Sequence, residues 1–251
     1  VQREFSVTST EDALMLAAAL PGKTIIKIAA AEPHVEDLGK FLVAMGAKIE
    51  GLGSHTIIVE GTASLHGAEY EIIPDPIEVA TFLILGAVTG NELSVVHARE
   101  EHLELVLEKM RDFGVQFKID RDRITVLPAK TLVSPGKVKA ELYPGIPTDA
   151  LSLFAVLATG AEGDTLIHEH LYEGRFNYIP EFEKMHIKAT VLNPHQAVIH
   201  GPAHLRGTTI KSFDLRAGAA LIIAALAAEG MTTIEDIYQV DRGYERIEER
   251  L

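Results

Sequence analysis

One pattern returns about every 70 residues along this chain, and it constrains the fold more than any other feature, because a unit used four times must pack against copies of itself. Each copy holds an Ala- or Leu-rich helical run, a glycine turn and a β-rich run. The four versions are Leu20-Pro21-Gly22-Lys23-Thr24-Ile25-Ile26, Val88-Thr89-Gly90-Asn91-Glu92-Leu93-Ser94-Val95, Ala161-Glu162-Gly163-Asp164-Thr165-Leu166-Ile167 and Ala228-Glu229-Gly230-Met231-Thr232-Thr233-Ile234. Glycine there reads as the C-cap of the preceding helix, where the backbone turns left-handed. A second, amphipathic helix follows at residues 35–45 and 102–113, ending at Gly46 and Gly114. Paired alternating segments come next: 48–50 with 56–59, 116–119 with 124–126, and 188–192 with 197–199, the last turned at Asn193-Pro194. In the third copy His186 stands where the others carry glycine. The unit is therefore β-α-β-α-β-β.

This pattern predicts an α/β (α+β) protein. Pro74 and Pro76 disfavour regular structure between Tyr70 and Glu78. The expected division is one repeat over residues 1–72 and three repeats over 73–251, the last lacking its closing hairpin. The chain opens on a presumed strand without an initiator methionine, so the reading is of a fold incomplete at both ends.

Composition excludes several function classes. A net charge of −13, from 36 acidic and 23 basic residues, opposes a nucleic acid backbone. A small anion can still bind where arginines converge, because salt screens distant charge within about 10 Å. With no cysteine there is no thiol nucleophile, disulfide or thiolate metal site. Residues 217–228 form the longest apolar run, too short for a membrane span and broken by Gly218. The first residues lack a signal-peptide pattern, so a cytoplasmic location is expected. Among the 11 histidines, His168 and His170 share a strand face, but no third metal ligand follows by spacing. Neither a metal nor a cofactor is expected.

Four strings carry a family resemblance: Gly145-Ile146-Pro147-Thr148-Asp149, Tyr172-Glu173-Gly174-Arg175-Phe176, Asp214-Leu215-Arg216-Ala217, and residues 237–245, Ile-Tyr-Gln-Val-Asp-Arg-Gly-Tyr-Glu. In order and spacing they resemble the UDP-N-acetylglucosamine 1-carboxyvinyltransferases of the enolpyruvyl transferase family, and the likeness extends over essentially the whole chain. The sister enzymes that make enolpyruvylshikimate phosphate share the fold but not these strings. The resemblance implies two inside-out α/β barrel domains built from β-α-β-α-β-β units. It also implies transfer of the enolpyruvyl group of phosphoenolpyruvate to the 3'-hydroxyl of UDP-N-acetylglucosamine, with release of phosphate, as the first committed step of peptidoglycan synthesis. The family's reactive loop and an N-terminal lysine belong to a half not present here, so this chain is expected to be inactive alone and to need that N-terminal half as its partner. The alternative is a non-catalytic binding or scaffold protein that keeps the repeat fold.

By resemblance, Asp149 is the catalytic base and Arg175, Arg216 and Arg242 bind substrate, with Thr148, Leu171, Asp214, Ser6 and Val7. The chemistry suits these residue types. An arginine fork binds carboxylate or phosphate bidentately, and a hydroxyl that attacks needs a carboxylate or imidazole within about 3 Å to take its proton. Residue chemistry alone leaves alternatives open. Asp149, Thr148 and Asp214 each read equally as helix N-caps, and a lone surface arginine reads as solvated. Arg216, in a first helical turn, opposes the helix dipole unless an anion sits nearby. The family's glycine after Ser6 and Val7 is replaced here by Thr8.

Overall fold

A computed structural model describes all 251 residues. The chain forms two compact units: Val1–Ile73 with Leu142–Pro144, and Pro74–Glu141 with Gly145–Leu251.

The first unit runs α1 (Val7–Ala19), β1 (Gly22–Lys27), α2 (Pro33–Ala44), β2 (Lys48–Glu50) and β3 (Thr56–Gly61), with an antiparallel sheet in the order β1-β3-β2. The Ser6 side chain caps α1 by accepting the Ser9 N–H at 3.3 Å. Leu14, Ala18, Val35, Ile57 and Val59 fill the space between helices and sheet. The strand expected at the very start does not form. Gln2 donates a single backbone bond to the Lys27 carbonyl at 3.2 Å, which is not a ladder.

The second unit begins with α3 (Pro76–Thr89), β4 (Leu93–Val96), a 3₁₀ turn at Glu100–His102, α4 (Glu104–Asp112), β5 (Gln116–Asp120) and β6 (Arg123–Leu127). It continues through β7 (Leu132–Val133), β8 (Lys137–Lys139), a 3₁₀ turn at Thr148–Ala150, α5 (Leu151–Thr159), β9 (Ala161–His168), α6 (Ile179–Lys184), β10 (Lys188–Asn193) and β11 (Gln196–Gly201). Last come β12 (Thr209–Lys211), α7 (Leu215–Ala227), β13 (Thr233–Glu235), a 3₁₀ segment at Ile237–Arg242 and α8 (Ile247–Arg250). The sheets are β4-β6-β5, β10-β11-β9-β7 with β8 also on β9, and β12-β13.

Helices α3, α5 and α7 are apolar all round and pack on one another, every residue of α5 being buried. Their sheets carry alternating exposed and covered positions outside them. Helices within and sheets without is the inside-out arrangement. The strand that leads a repeat is present in the third copy as β8 and in the fourth as β12, each pairing in parallel with the strand after the intervening helix. It is absent from the first two copies.

The four repeat glycines all have positive φ, but only Gly90 is a helix cap, at φ +69° with its N–H on the Gly86 carbonyl. Gly22 opens β1 and Gly163 lies inside β9, so they bend strands rather than end helices. At the close of the second helix, Gly46 and Gly114 are left-handed, and His186 holds the same turn at φ +67°. A side chain in that region costs about 1–2 kcal/mol, partly offset by the greater unfolded freedom of glycine. His186→Gly should therefore raise stability by about 0.5–1 kcal/mol, seen as a higher denaturant midpoint. A lowered midpoint would show that the exposed His186 ring makes a compensating contact.

Candidate active site

Packing of α5 against α7 brings the starts of both helices together, and the Ser152 hydroxyl ties them by donating to the Arg216 carbonyl at 3.2 Å. There an open cleft is lined by Thr148, Asp149, Glu169, Arg175, Phe176, Tyr178, Asp214 and Arg216 among others.

Asp149 is not a helix cap. No side chain caps the 3₁₀ turn or α5, and the Asp149 carboxylate instead faces two cations from different repeats. Arg216 Nε donates to Oδ2 at 3.1 Å, and an Arg175 terminal nitrogen lies 3.6 Å from Oδ1. Asp214 does cap: its Oδ1 accepts the N–H groups of Arg216 at 2.9 Å and Ala217 at 2.8 Å, and its Oδ2 accepts from Asn177 Nδ2 at 2.9 Å. In sequence the two aspartates looked alike; the structure gives them different work.

Arg216 is the more enclosed cation. Its burial works against the charge, but Asp149 and then Tyr244 outweigh that, and the pKa is raised. The guanidinium lies 5.9 Å from the Tyr244 ring centre, and the Tyr244 hydroxyl is hydrogen-bonded to Thr81 at 2.8 Å. Arg216 Nη1 is buried with no partner. A charged donor left unpaired beside a cavity is costly unless an acceptor arrives there. Arg175 stacks 5.0 Å from the Tyr172 ring. Tyr178, also buried, has an unpartnered hydroxyl, and burial with the nearby Glu169 and Asp214 pushes its phenol pKa well up.

Other expected residues fall elsewhere. Arg242 is exposed on the last 3₁₀ segment and does not line the cavity, so two of the three arginines converge rather than all three. Leu171 packs partly buried against the core of its unit and offers only its backbone. Ser6 and Val7 belong to the first unit, one as the α1 cap and the other as the first helical residue, packed on that unit's core. Thr148 lines the cavity and donates its hydroxyl to Glu169. Glu169 itself, wholly buried, was missed in the sequence. It stands between the two histidines whose spacing drew attention as a metal pattern, and a lone Glu there carries no local signal. Those histidine rings lie 5.8 Å apart.

The UDP-N-acetylglucosamine 1-carboxyvinyltransferase of Koribacter versatilis is 42% identical over 251 residues, all of this chain and 58% of that protein. The enzyme of the same name from Methylacidiphilum infernorum is 43% identical over 246 residues, covering 98% of this chain and 58% of its own length. The chain thus spans about 58% of the length of the curated relatives it matches. Among solved structures, the enolpyruvyl transferase NikO from Streptomyces tendae superposes with a TM-score of 0.89 at 30% identity, over 97% of this chain and 58% of that one. EPSP synthase from Acinetobacter baumannii shares the fold at a TM-score of 0.72 and 20% identity, over 100% of this chain and 61% of that one. The model of the EPSP synthase (3-phosphoshikimate 1-carboxyvinyltransferase) family matches residues 1–251, and the chain belongs to that family.

Proposed function

We propose that this chain supplies the base and part of the anion site for transfer of the enolpyruvyl group of phosphoenolpyruvate to the 3'-hydroxyl of UDP-N-acetylglucosamine. The observation that carries the reading is Asp149 held by Arg216 and Arg175 at a cavity where Arg216 Nη1 has no partner. Two arginines converge beside the Asp149 carboxylate, so cationic donors for an anion stand next to a proton acceptor. The named relatives at 42–43% identity direct the choice of acceptor toward the sugar nucleotide.

In this reading the sugar oxygen bonds to the central carbon of phosphoenolpyruvate while Asp149 takes the hydroxyl proton. The methylene carbon gains a proton, giving a tetrahedral adduct. The carbon–oxygen bond to phosphate then breaks, the methylene carbon loses a proton, and the enol ether forms as phosphate departs. Arg216 and Arg175 hold the anionic substrate through these steps by charge-assisted hydrogen bonds. Thr148 and Asp214 shape the site. Arg242, Leu171, Ser6 and Val7 stay in the proposal as substrate contacts on resemblance alone. No helix here is long and apolar enough to cross a membrane, and a cytoplasmic setting accords with nucleotide-sugar and phosphoenolpyruvate substrates.

The test is Arg175→Ala in the complete gene product. Arg175 is the more exposed of the two cations, so the loss should be moderate: KM for phosphoenolpyruvate rises about 10-fold to 100-fold, with kcat reduced less. Steady-state kinetics checks this. A KM within twofold of the parent would remove Arg175 from the anion site.

A further inference from the structure

We propose that Glu169 is a positioning residue that fixes both sides of the Asp149–Arg175 pair through one buried carboxylate; the catalytic part of this proposal rests on the function above. Glu169 is 0% exposed and follows the last residue of β9. Its Oε1 accepts the N–H groups of Leu171 at 2.8 Å and Tyr172 at 3.1 Å. Its Oε2 accepts the Thr148 hydroxyl. Thr148 immediately precedes Asp149. Leu171 and Tyr172 open the segment that ends in Arg175, and the Tyr172 ring is the surface on which that guanidinium lies. One side chain therefore joins the strand to the turn that carries the base and to the loop that carries the cation.

The clamp is anchored at its own backbone. The Glu169 N–H donates to the His195 carbonyl at 2.8 Å, and the Glu169 carbonyl accepts from His195 Nδ1 at 2.7 Å. His195 sits in the two-residue turn between β10 and β11, so the hairpin of the same repeat holds Glu169 in place. Both carboxylate oxygens act only as acceptors, and three donors meet them from two separate segments. A group of this kind works by reach and hydrogen-bond geometry. Its charge matters less to the site than the distance it spans, and that distinction makes the proposal testable.

Glu169→Gln keeps the reach: the amide oxygen can accept both backbone N–H groups, while the amide nitrogen donates to Thr148 Oγ1. Glu169→Asp keeps the charge but is one methylene short and cannot span both segments. In the complete gene product, E169Q should lower kcat/KM by less than about fivefold, whereas E169D should lower it about 10²-fold, the cost of a roughly 1 Å misplacement of reacting groups. Most of the E169D loss should fall on kcat, since the misplaced pair includes the base. Hydrogen exchange at the Leu171 and Tyr172 amides gives a readout independent of turnover: protection stays near that of the parent in E169Q and drops at least 10-fold in E169D. A larger kcat/KM loss in E169Q than in E169D would overturn the proposal, because charge rather than reach would then matter. Equal amide protection in all three proteins would do so as well. If the parent itself shows no enolpyruvyl transfer, the functional reading fails while the exchange data still decide whether the clamp exists.

Discussion

Asp149→Asn in the complete gene product should reduce kcat by about two to four orders of magnitude, the usual contribution of a general base. The asparagine oxygen can still accept from Arg216 Nε, so the side chain stays in place; what disappears is the ability to take a proton. Removing a negative charge beside two arginines makes the cavity more positive, so phosphoenolpyruvate should bind at least as tightly and its KM should stay level or fall. The partly buried Arg216 loses its counter-ion, which should cost about 1–2 kcal/mol of stability and leave a folded protein. Steady-state kinetics with a denaturant titration separates the two effects. Turnover within tenfold of the parent in D149N would deny Asp149 the role of base.

Arg216→Lys is the second large effect. A lysine keeps a positive charge near Asp149 but offers no planar fork, so it cannot bond the carboxylate through one edge while presenting a second nitrogen to a ligand. Because Arg216 is the enclosed cation and its Nη1 awaits an acceptor, kcat/KM should fall about 10²-fold to 10³-fold, with KM for phosphoenolpyruvate sharing the loss. The contrast with the milder Arg175→Ala change tests whether enclosure decides how much each arginine contributes. An R216K protein with KM and kcat both within twofold would place the anion elsewhere.

Much of the fold was legible because its information is local. Glycines at about 70-residue spacing, the apolar runs before them and the alternating pairs located the apolar helices, α2, α4 and the three hairpins within a few residues, including the turn at Pro194, while the short α6 was not picked out. What escaped depends on tertiary partners. Strands β7 and β8 hold two and three residues and exist because β9 offers them an edge. The initial strand was expected as the lead strand of the repeat, yet Val7 already lies in α1 once Ser6 caps it. At the site, residue types and family likeness named Asp149, Arg175 and Arg216, but sequence could not tell a capping aspartate from an arginine-bound one. That distinction arises where α5 meets α7. Glu169 was invisible for the same reason: its three donors come from residues 148, 171 and 172, and only the fold brings Thr148 to it.

The central claim is a reaction, and its most direct measurement is product formation by the complete gene product given phosphoenolpyruvate and UDP-N-acetylglucosamine. The account predicts phosphate release that requires both substrates, with one enolpyruvyl ether formed on the sugar nucleotide for each phosphate released, as followed by mass spectrometry. Phosphate release with 3-phosphoshikimate in place of the sugar nucleotide, or tight binding of both substrates with no phosphate released, would contradict it.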